Sequence, residues 1–310
     1  MHKLITILGA TATGKTTLAA HLALKMNGEI ISGDSRQIYK GMDIGTGKDI
    51  DDYTINGIKI PYHLIDIRPA GYKYNIYEFY RDFHKAKNDI EQRGKQAILC
   101  GGSGLYLETV LKGYNMIEIK PNEELRQKLK DKTIDELAAI LQSYPDYKAH
   151  NTTDLETKQR AIRAIEIADY YYKHNEKPTD LKGIDSIIIG VDVDRELRRK
   201  RISDRLIQRL NNGMVEEVKN LLDSGIKPDD LIYYGLEYKF STQYLIGELQ
   251  YNEMVKLLEI AIHQFAKRQM TWFRGMEKRG IKIHWIDGTH DVENRVKECL
   301  EYINAQEEEK

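Results

Sequence analysis

The sequence has few cysteines and no long apolar stretch, and each shortage excludes a class of protein. Two of its 310 residues are cysteine, Cys100 and Cys299, and they are too far apart for a metal-binding spacing. We therefore expect a fold without disulfides in a reducing compartment. The longest apolar stretches, such as residues 187–189, are a few residues long, whereas roughly 20 are needed to cross a bilayer. No membrane span is expected.

The chain also lacks an excess of charge of either sign. It has 47 Lys and Arg against 48 Asp and Glu, a formal charge of −1. This balance argues against binding nucleic acid through overall charge, so any RNA site must be a local cluster of charge. Residues 1–8 lack the basic region, apolar stretch and cleavage site of a secretory signal, which predicts a cytoplasmic protein.

Strand-like apolar runs alternate with helical patterns over most of the chain. This alternation predicts an α/β fold with a mostly parallel sheet flanked by helices. Between residues 113 and 183 the pattern is helical throughout. We therefore predict a catalytic core of residues 1–112 and 184–310 and an inserted all-helical domain of residues 113–183. The predicted core strands are 3–8, 29–32, 62–66, 97–100, 186–191 and 281–286, and the longer predicted core helices are 76–93, 195–210, 215–222, 252–273 and 292–303.

One motif predicts a chemistry by itself. Residues 9–16 match G-x-x-x-x-G-K-[ST] between a predicted strand and a predicted helix, the context that a phosphate-binding loop (P-loop) requires, so we expect a P-loop NTPase-like core. Backbone N–H groups of such a loop converge on an anion, while Lys15 adds charge and the Thr16 hydroxyl supplies a magnesium ligand. The loop alone does not identify the molecule whose phosphates it binds. The predicted diphosphate or nucleotide site is Gly9, Ala10, Thr11, Ala12, Thr13, Gly14, Lys15 and Thr16.

Asp34 directly follows the second predicted strand, and it therefore lies at the carboxyl edge of the sheet beside the phosphate loop. A carboxylate there could coordinate magnesium indirectly or act as a general base toward an acceptor. Asp beside Gly and Ser also commonly caps a turn, and the residues alone leave both interpretations open. The glycine-rich residues 40–48, taken alone, read as a mobile surface loop.

Five blocks of sequence together point to a family: the phosphate loop, DSRQIYKGMDIGT at 34–46, HLID at 63–66, GGSGLY at 101–106 and AKRQMTWFR at 266–274. In these blocks the chain resembles the bacterial tRNA dimethylallyltransferases, also called tRNA isopentenyltransferases. The blocks occur in the family's order over nearly the whole chain. The resemblance implies transfer of a dimethylallyl group from dimethylallyl diphosphate to the exocyclic amine of adenosine 37, immediately 3′ of the anticodon, in tRNAs that read codons beginning with U. The products would be N6-isopentenyladenosine and diphosphate.

The same resemblance assigns partners and residue roles. It implies magnesium as cofactor, a tRNA anticodon stem-loop and dimethylallyl diphosphate as partners, and a monomer without an obligate protein partner. Asp34 would be the base, and Lys15 and Arg205 would stabilise the departing diphosphate. The helical insertion would bind tRNA. The expected tRNA contacts are Asp34, Ser35, Arg36, Gln37, Ser103, Arg126, Gln159, Arg160, Ala161, Ile162, Arg163 and Lys239.

Without the resemblance, plainer interpretations would be favoured for several of these residues. Arg205 lies in residues 195–209, where seven Lys or Arg accompany two acids, a composition typical of a solvated basic helix. Arg160 and Arg163 would read as salt-bridged surface. Trp272 and Phe273 are interpreted as core anchors.

Three other functions remain open from the residues. A P-loop kinase with Asp34 as base would phosphorylate a small acceptor, and the phosphate loop alone favours it. An adenylate isopentenyltransferase would prenylate AMP, although it needs no helical tRNA domain. A nucleotide-gated RNA-binding protein would leave Asp34 unexplained.

Overall fold

The computed structural model of the protein describes residues 3–113, 119–144, 154–174 and 183–308. The chain divides into two compact units. The core unit is Met1–Lys112 with Gly183–Lys310, and the helical unit is Gly113–Lys182.

The core unit contains a six-stranded sheet and two small two-stranded sheets. The strands are β1 (Leu4–Gly9), β2 (Gly28–Ser32), β3 (Tyr39–Lys40), β4 (Thr54–Ile55), β5 (Ile58–Lys59), β6 (Tyr62–His63), β7 (Arg68–Pro69), β8 (Gln96–Gly101), β9 (Ser186–Asp192) and β10 (His284–Asp287). The large sheet has the order β10-β9-β1-β8-β2-β6, and its neighbouring strands are parallel. The predicted α/β fold with a mostly parallel sheet is confirmed.

Two strands are shorter than predicted. The predicted strand 62–66 ends at His63, because Leu64 and Asp66 have φ angles of 61° and 57°, outside the extended region that a strand requires. The predicted strand 281–286 begins its ladder only at His284.

Helices cover both faces of the sheet, and the five longer core helices that the sequence predicts are present. The helices α3, α9 and α10 of the core unit were not predicted. α10 contains three aromatic residues and one β-branched residue among its ten, types that lower helix propensity, so tertiary packing decides its conformation. The helices are α1 (Lys15–Lys25), α2 (Ile76–Gln92), α3 (Gly104–Lys112), α4 (Glu123–Leu129), α5 (Ile134–Gln142), α6 (Lys158–His174), α7 (Arg195–Asn211), α8 (Met214–Asp223), α9 (Pro228–Tyr233), α10 (Leu236–Leu245), α11 (Tyr251–Lys278) and α12 (Val292–Glu308).

Alternate residues of the central strand β1 enter two separate cores. Leu4 and Leu8 pack in the core to which α2, α3, α7, α8 and α11 contribute. Ile5 and Ile7 pack in the core formed with α1 and α12. A strand buried on both faces has no polar side to present, which explains why β1 is apolar almost throughout.

The described part of the helical unit consists of α4, α5 and α6 around a small core. Leu137, Leu141 and Ile165 are among its buried residues. Thr133 and Glu136 form a capping box that begins α5, and Asn122 caps α4. Across the described ranges of the whole chain, no helix has both the length and the apolar character that a membrane crossing requires.

Candidate active site

The phosphate loop connects β1 to α1 at the carboxyl edge of the sheet, as the sequence predicts. Ala12 and Gly14 have φ angles of 64° and 83°, which wrap the backbone into the first turn of α1. Gly9 has no room for a side chain, because an added Cβ would lie 2.6 Å from the carbonyl oxygen of Val191. The Thr13 hydroxyl donates to the Ala10 carbonyl at 3.0 Å and so fixes the loop from within.

Gln269 of α11 fastens this loop to the turn after β8, a role that the sequence analysis missed. Its Oε1 accepts from the Thr11 N–H at 2.9 Å, and its Nε2 donates to the Gly102 carbonyl at 2.9 Å. The Thr11 N–H therefore points to Gln269 rather than into the phosphate cradle. The signal was present, since Gln269 lies inside the 266–274 block, but only the fold brings α11 to the loop.

The turns after β2 and β8 meet because two glycines allow their backbones to touch. An added Cβ at Gly101 would lie 2.5 Å from the backbone of Gly33. This approach brings Ser103 to the turn that carries Asp34, where its Oγ accepts from the Ser35 N–H at 3.1 Å. The predicted neighbours Asp34, Ser35 and Ser103 thus share one edge of the site.

Asp34 closes its own turn with one carboxylate oxygen. Oδ1 accepts from the Arg36 N–H at 2.9 Å, and the Asp34 N–H donates to the Ser32 hydroxyl at 3.3 Å. The turn-capping interpretation is thus correct for Oδ1. Oδ2 has no hydrogen-bond partner among the described residues, so this oxygen is available to accept a proton. The turn-capping and general-base interpretations of Asp34 are therefore compatible.

The other predicted tRNA contacts of the core unit, Arg36, Gln37 and Lys239, make different interactions. The guanidinium of Arg36 lies 5.6 Å from the centre of the Tyr233 ring. Gln37 is buried and uses both ends of its amide internally, accepting from Ser32 and donating to the Gly47 carbonyl at 3.2 Å. On α10, the Lys239 ammonium lies 5.3 Å from the centre of the Phe240 ring.

Three cations and Asp34 interact electrostatically at this edge. Burial lowers the pKa of Lys15, and Arg205 and Arg209 lower it further, whereas Asp34 opposes the shift. Burial also lowers the pKa of Arg205, and the positive charge of Arg209 lowers it further, to about 10. A pKa near 10 keeps Arg205 protonated at neutral pH, so its positive charge lies close to the side chains of Lys15 and Arg209. Arg209 was not among the predicted site residues, and it lies 3.6 Å from the carboxylate of Glu237.

A positively charged cavity of about 360 Å³ opens beside the loop. Residues 12–14 of the phosphate loop form one wall, and Arg201, Arg205 and Arg295 contribute guanidinium groups. Arg295 donates to the Gly14 carbonyl at 3.4 Å. The lining contains no Asp or Glu, so this cavity favours an anion.

The glycine-rich residues 40–48 are packed into the core unit, so the interpretation of this segment as a mobile surface loop is wrong. Lys48 is 1% exposed; it donates to the Tyr39 carbonyl and pairs with Asp43 and Asp66. The carboxylate of Glu217 accepts from three successive backbone N–H groups, those of residues 43, 44 and 45, at 2.7–3.0 Å. Composition alone predicted a loop, but the buried Lys48 with its two ion pairs and the carboxylate of Glu217 hold it.

Two of the residues predicted to contact tRNA in the helical unit, Arg126 and Arg163, bind a buried carboxylate, that of Glu166. Arg126 donates to it from Nε and Nη2 at 2.8 and 3.1 Å, and Arg163 donates from Nη1 at 3.1 Å. Burial opposes ionisation of Glu166, but these hydrogen bonds and one from the Asn122 N–H outweigh it and lower the pKa. Both arginines keep partly exposed side chains beside a structural ion pair.

The remaining predicted residues of α6 have different environments. Gln159 is exposed, and Arg160 is exposed and paired with Glu156 at 2.5 Å. Ala161 is fully buried in the core of the helical unit, and Ile162 packs against that core. Of these four side chains, those of Gln159 and Arg160 lie at the surface of the unit.

A magnesium ion would have few protein ligands here. The described residues contain no group of three or more His, Cys, Asp or Glu side chains arranged to hold a metal. Thr16, in the first turn of α1, is partly exposed. This fits an ion bound by one hydroxyl, by water and by phosphate oxygens, which is how magnesium is usually held beside phosphates.

Family models and curated relatives match nearly the whole chain. The model described as IPP transferase matches residues 37–276, and the one described as isopentenyl transferase matches residues 2–71. The chain is 58% identical over 305 residues to tRNA dimethylallyltransferase 1 of Parabacteroides distasonis, covering 98% of this chain and 99% of that protein. It is 60% identical over 295 residues to tRNA dimethylallyltransferase 2 of Bacteroides fragilis, covering 95% and 96%.

Solved structures show the same fold. The full-length tRNA isopentenylpyrophosphate transferase of Bacillus halodurans is 31% identical with a TM-score of 0.73, over 100% of this chain and 98% of that one. A eukaryotic dimethylallyltransferase crystallised acting on tRNA has a TM-score of 0.74 over 93% of this chain and 74% of its own. At 24% identity the second supports the fold alone. The predicted P-loop NTPase-like core is confirmed.

Proposed function

We propose the function of this chain from one premise, which is that it belongs to the IPP transferase family. It is an enzyme of the prenyltransferase class. We infer that it transfers a dimethylallyl group from dimethylallyl diphosphate to the exocyclic amine of adenosine 37 in tRNAs that read codons beginning with U. The observation that carries this proposal is the position of Asp34 beside a phosphate loop at the same sheet edge as Arg205.

The first half of the reaction requires charge neutralisation of a leaving group. As the bond between the allylic carbon and the bridging oxygen breaks, the electron pair leaves with diphosphate. Lys15, the loop N–H groups other than that of Thr11, and the guanidinium of Arg205 would stabilise this developing charge by preorganised electrostatics. Lys15 is partly buried, which strengthens the effect, because charges interact more strongly where water is excluded.

The second half requires a base, because the exocyclic amine of adenine is a weak nucleophile. Oδ2 of Asp34 would accept a hydrogen bond from the amine and take its proton as the new bond between nitrogen and carbon forms. Oδ1 stays bonded to the Arg36 N–H, which holds the carboxylate in one orientation. General-base catalysis of this kind contributes roughly 10²–10⁴-fold.

Magnesium and tRNA complete the proposed system. Thr16 would hold magnesium together with the diphosphate oxygens, where the ion would neutralise phosphate charge. The adenine must leave the stack of the anticodon loop to reach Asp34, at a cost of a few kcal/mol. Ser35, Arg36, Ser103 and Lys239 of the core unit, together with Arg126, Gln159, Arg160 and Arg163 of the helical unit, are the proposed tRNA contacts. The prediction for Ala161 is withdrawn, because its side chain is fully buried in the core of the helical unit, and Ile162 packs against that core. We expect a cytoplasmic monomer.

One incubation separates this function from its rivals. The protein would be mixed with magnesium and labelled dimethylallyl diphosphate, and then with tRNA transcripts or AMP; parallel reactions would contain labelled ATP and small acceptors. Two matched transcripts, one with adenosine and one with guanosine at position 37, serve as substrate and control. We expect label in the adenosine transcript alone.

Each other result would favour a different enzyme. Label in AMP but not in tRNA would indicate an adenylate isopentenyltransferase. Transfer of phosphate from ATP without prenylation would indicate a kinase and would contradict the proposal. Removal of magnesium with EDTA should lower the rate, and restored magnesium should recover it.

A further inference from the structure

Asp49 forms an ion pair with the arginine that is proposed to hold the diphosphate. Its carboxylate accepts from Nη2 of Arg205, and the two side chains are 42% and 31% exposed respectively. Among the described residues, Asp49 is the only acid recorded in an ion pair with Arg205, whereas Glu237 pairs with Arg209. The two neighbouring arginines thus have separate acidic partners.

The backbone around Asp49 holds this carboxylate at the site. Asp49 has a φ of 44°, in the left-handed region, and its carbonyl accepts from the Asp52 N–H at 2.9 Å. The preceding Lys48 is buried and paired with two carboxylates. At Gly47, an added Cβ would collide with the guanidinium of Arg209 and lie 3.1 Å from that of Arg205. Residues 47–49 therefore lie directly against both arginines.

Arg205 also faces the anion-favouring cavity beside the phosphate loop. It lines that cavity with residues 12–14, Arg201 and Arg295. A diphosphate in the cradle would approach Arg205 from the cavity, and its charge would compete with the single charge of Asp49. Because both anions need the same guanidinium and repel each other, binding of one weakens contact with the other.

We propose that Asp49 is an internal counter-ion that competes with diphosphate for Arg205. It would thereby weaken binding of the donor and ease release of the diphosphate product. Asp49 is a positioning residue, since it acts through Arg205 and takes no part in bond making. This inference rests on the proposed function, because it needs a diphosphate at the phosphate loop.

The test compares two variants that remove the same charge from the same segment. In Asp49→Asn the partner of Arg205 loses its charge, and Asn tolerates a left-handed φ as well as Asp does, so the backbone need not change. Asp51→Asn removes a charge from an exposed neighbour two residues away. Binding of magnesium pyrophosphate to the full-length variants would be measured by titration calorimetry at low and high salt.

We expect Asp49→Asn to bind pyrophosphate roughly 3- to 10-fold more tightly than the wild type, a range set by a partly exposed ion pair plus the removal of repulsion. Asp51→Asn should stay within about twofold. The gain in Asp49→Asn should shrink at high salt, and its KM for the donor should fall with the Kd.

Unchanged or weaker binding in Asp49→Asn would overturn the inference. Equal gains in Asp49→Asn and Asp51→Asn would also overturn it, since they would indicate general charge rather than contact with Arg205. If the wild type binds pyrophosphate but transfers no prenyl group to tRNA, the proposed function is contradicted while the competition between Asp49 and pyrophosphate can still be measured. Absence of pyrophosphate binding by the wild type would contradict both.

Discussion

Replacement of Gln269 by alanine tests whether one buried amide holds the phosphate loop against the turn after β8. The side chain makes two hydrogen bonds of 2.9 Å, to the Thr11 N–H and to the Gly102 carbonyl, and it is 7% exposed. Truncation leaves both backbone groups without their partner. Each buried unsatisfied group costs about 1–3 kcal/mol, or about 2–6 kcal/mol for two. Because the Thr11 N–H is only partly buried, we expect a total loss in the lower part of this range, about 2–4 kcal/mol.

The measurement is the midpoint of thermal unfolding of Gln269→Ala. For a unit of this size each kcal/mol lowers the midpoint by about 2–4 °C, which predicts a fall of roughly 5–15 °C. The affinity for pyrophosphate should also fall, because the loop loses the hydrogen bond from the Thr11 N–H that helps to keep it in its wrapped conformation. An activity loss at an unchanged midpoint would show that Gln269 acts in catalysis only.

Gln264 provides a matched control on the same helix. It is the same residue type, but it is exposed on α11. Gln264→Ala should shift the midpoint by less than about 2 °C, since surface substitutions usually change stability by about 0.5 kcal/mol or less. If the two variants unfold at the same temperature, the bridging role of Gln269 is refuted.

Three further predictions concern the base, the helical unit and the thiols. Asp34→Asn should lower the single-turnover rate about 10²–10⁴-fold, some 3–5 kcal/mol of barrier, with tRNA affinity nearly unchanged; an unaltered rate would remove Asp34 from the chemistry. Because hydrogen bonds lower the pKa of Glu166, its contribution to stability is present above pH 4.5 and is lost as the pH falls through the lowered value. In Glu166→Gln, amide exchange of α6 measured by mass spectrometry should therefore be faster than in the wild type at pH 7, and the two should converge in acid. Burial raises the pKa of both Cys100 and Cys299 to about 12, so neither should be alkylated by iodoacetamide at pH 8 until the protein is unfolded, and rapid native labelling would contradict their burial.

Sequence patterns were sufficient to predict a structural feature where the residues that cause it lie within one short segment. The loop at residues 9–16 could be recognised from two glycines, a lysine and a threonine between a strand and a helix, since that conformation needs little beyond its own residues. The parallel sheet followed from apolar runs alternating with helices, because strands buried on both faces cannot carry polar residues. The long helices α2, α7 and α11 followed from apolar periodicity in the same way.

Tertiary structure decided which distant residues meet. Gln269 lies 258 positions from Thr11, and no pattern near either residue indicates their hydrogen bond. The glycine-rich segment 40–48 resembles a free loop in composition, yet Glu217 and the buried Lys48 hold it. Such contacts depend on burial and on the direction of side chains, which are properties of the folded chain rather than of neighbours in sequence. The sequence alone thus determined most of the elements and the position of the phosphate loop, whereas folding determined which charged side chains face each other beside that loop.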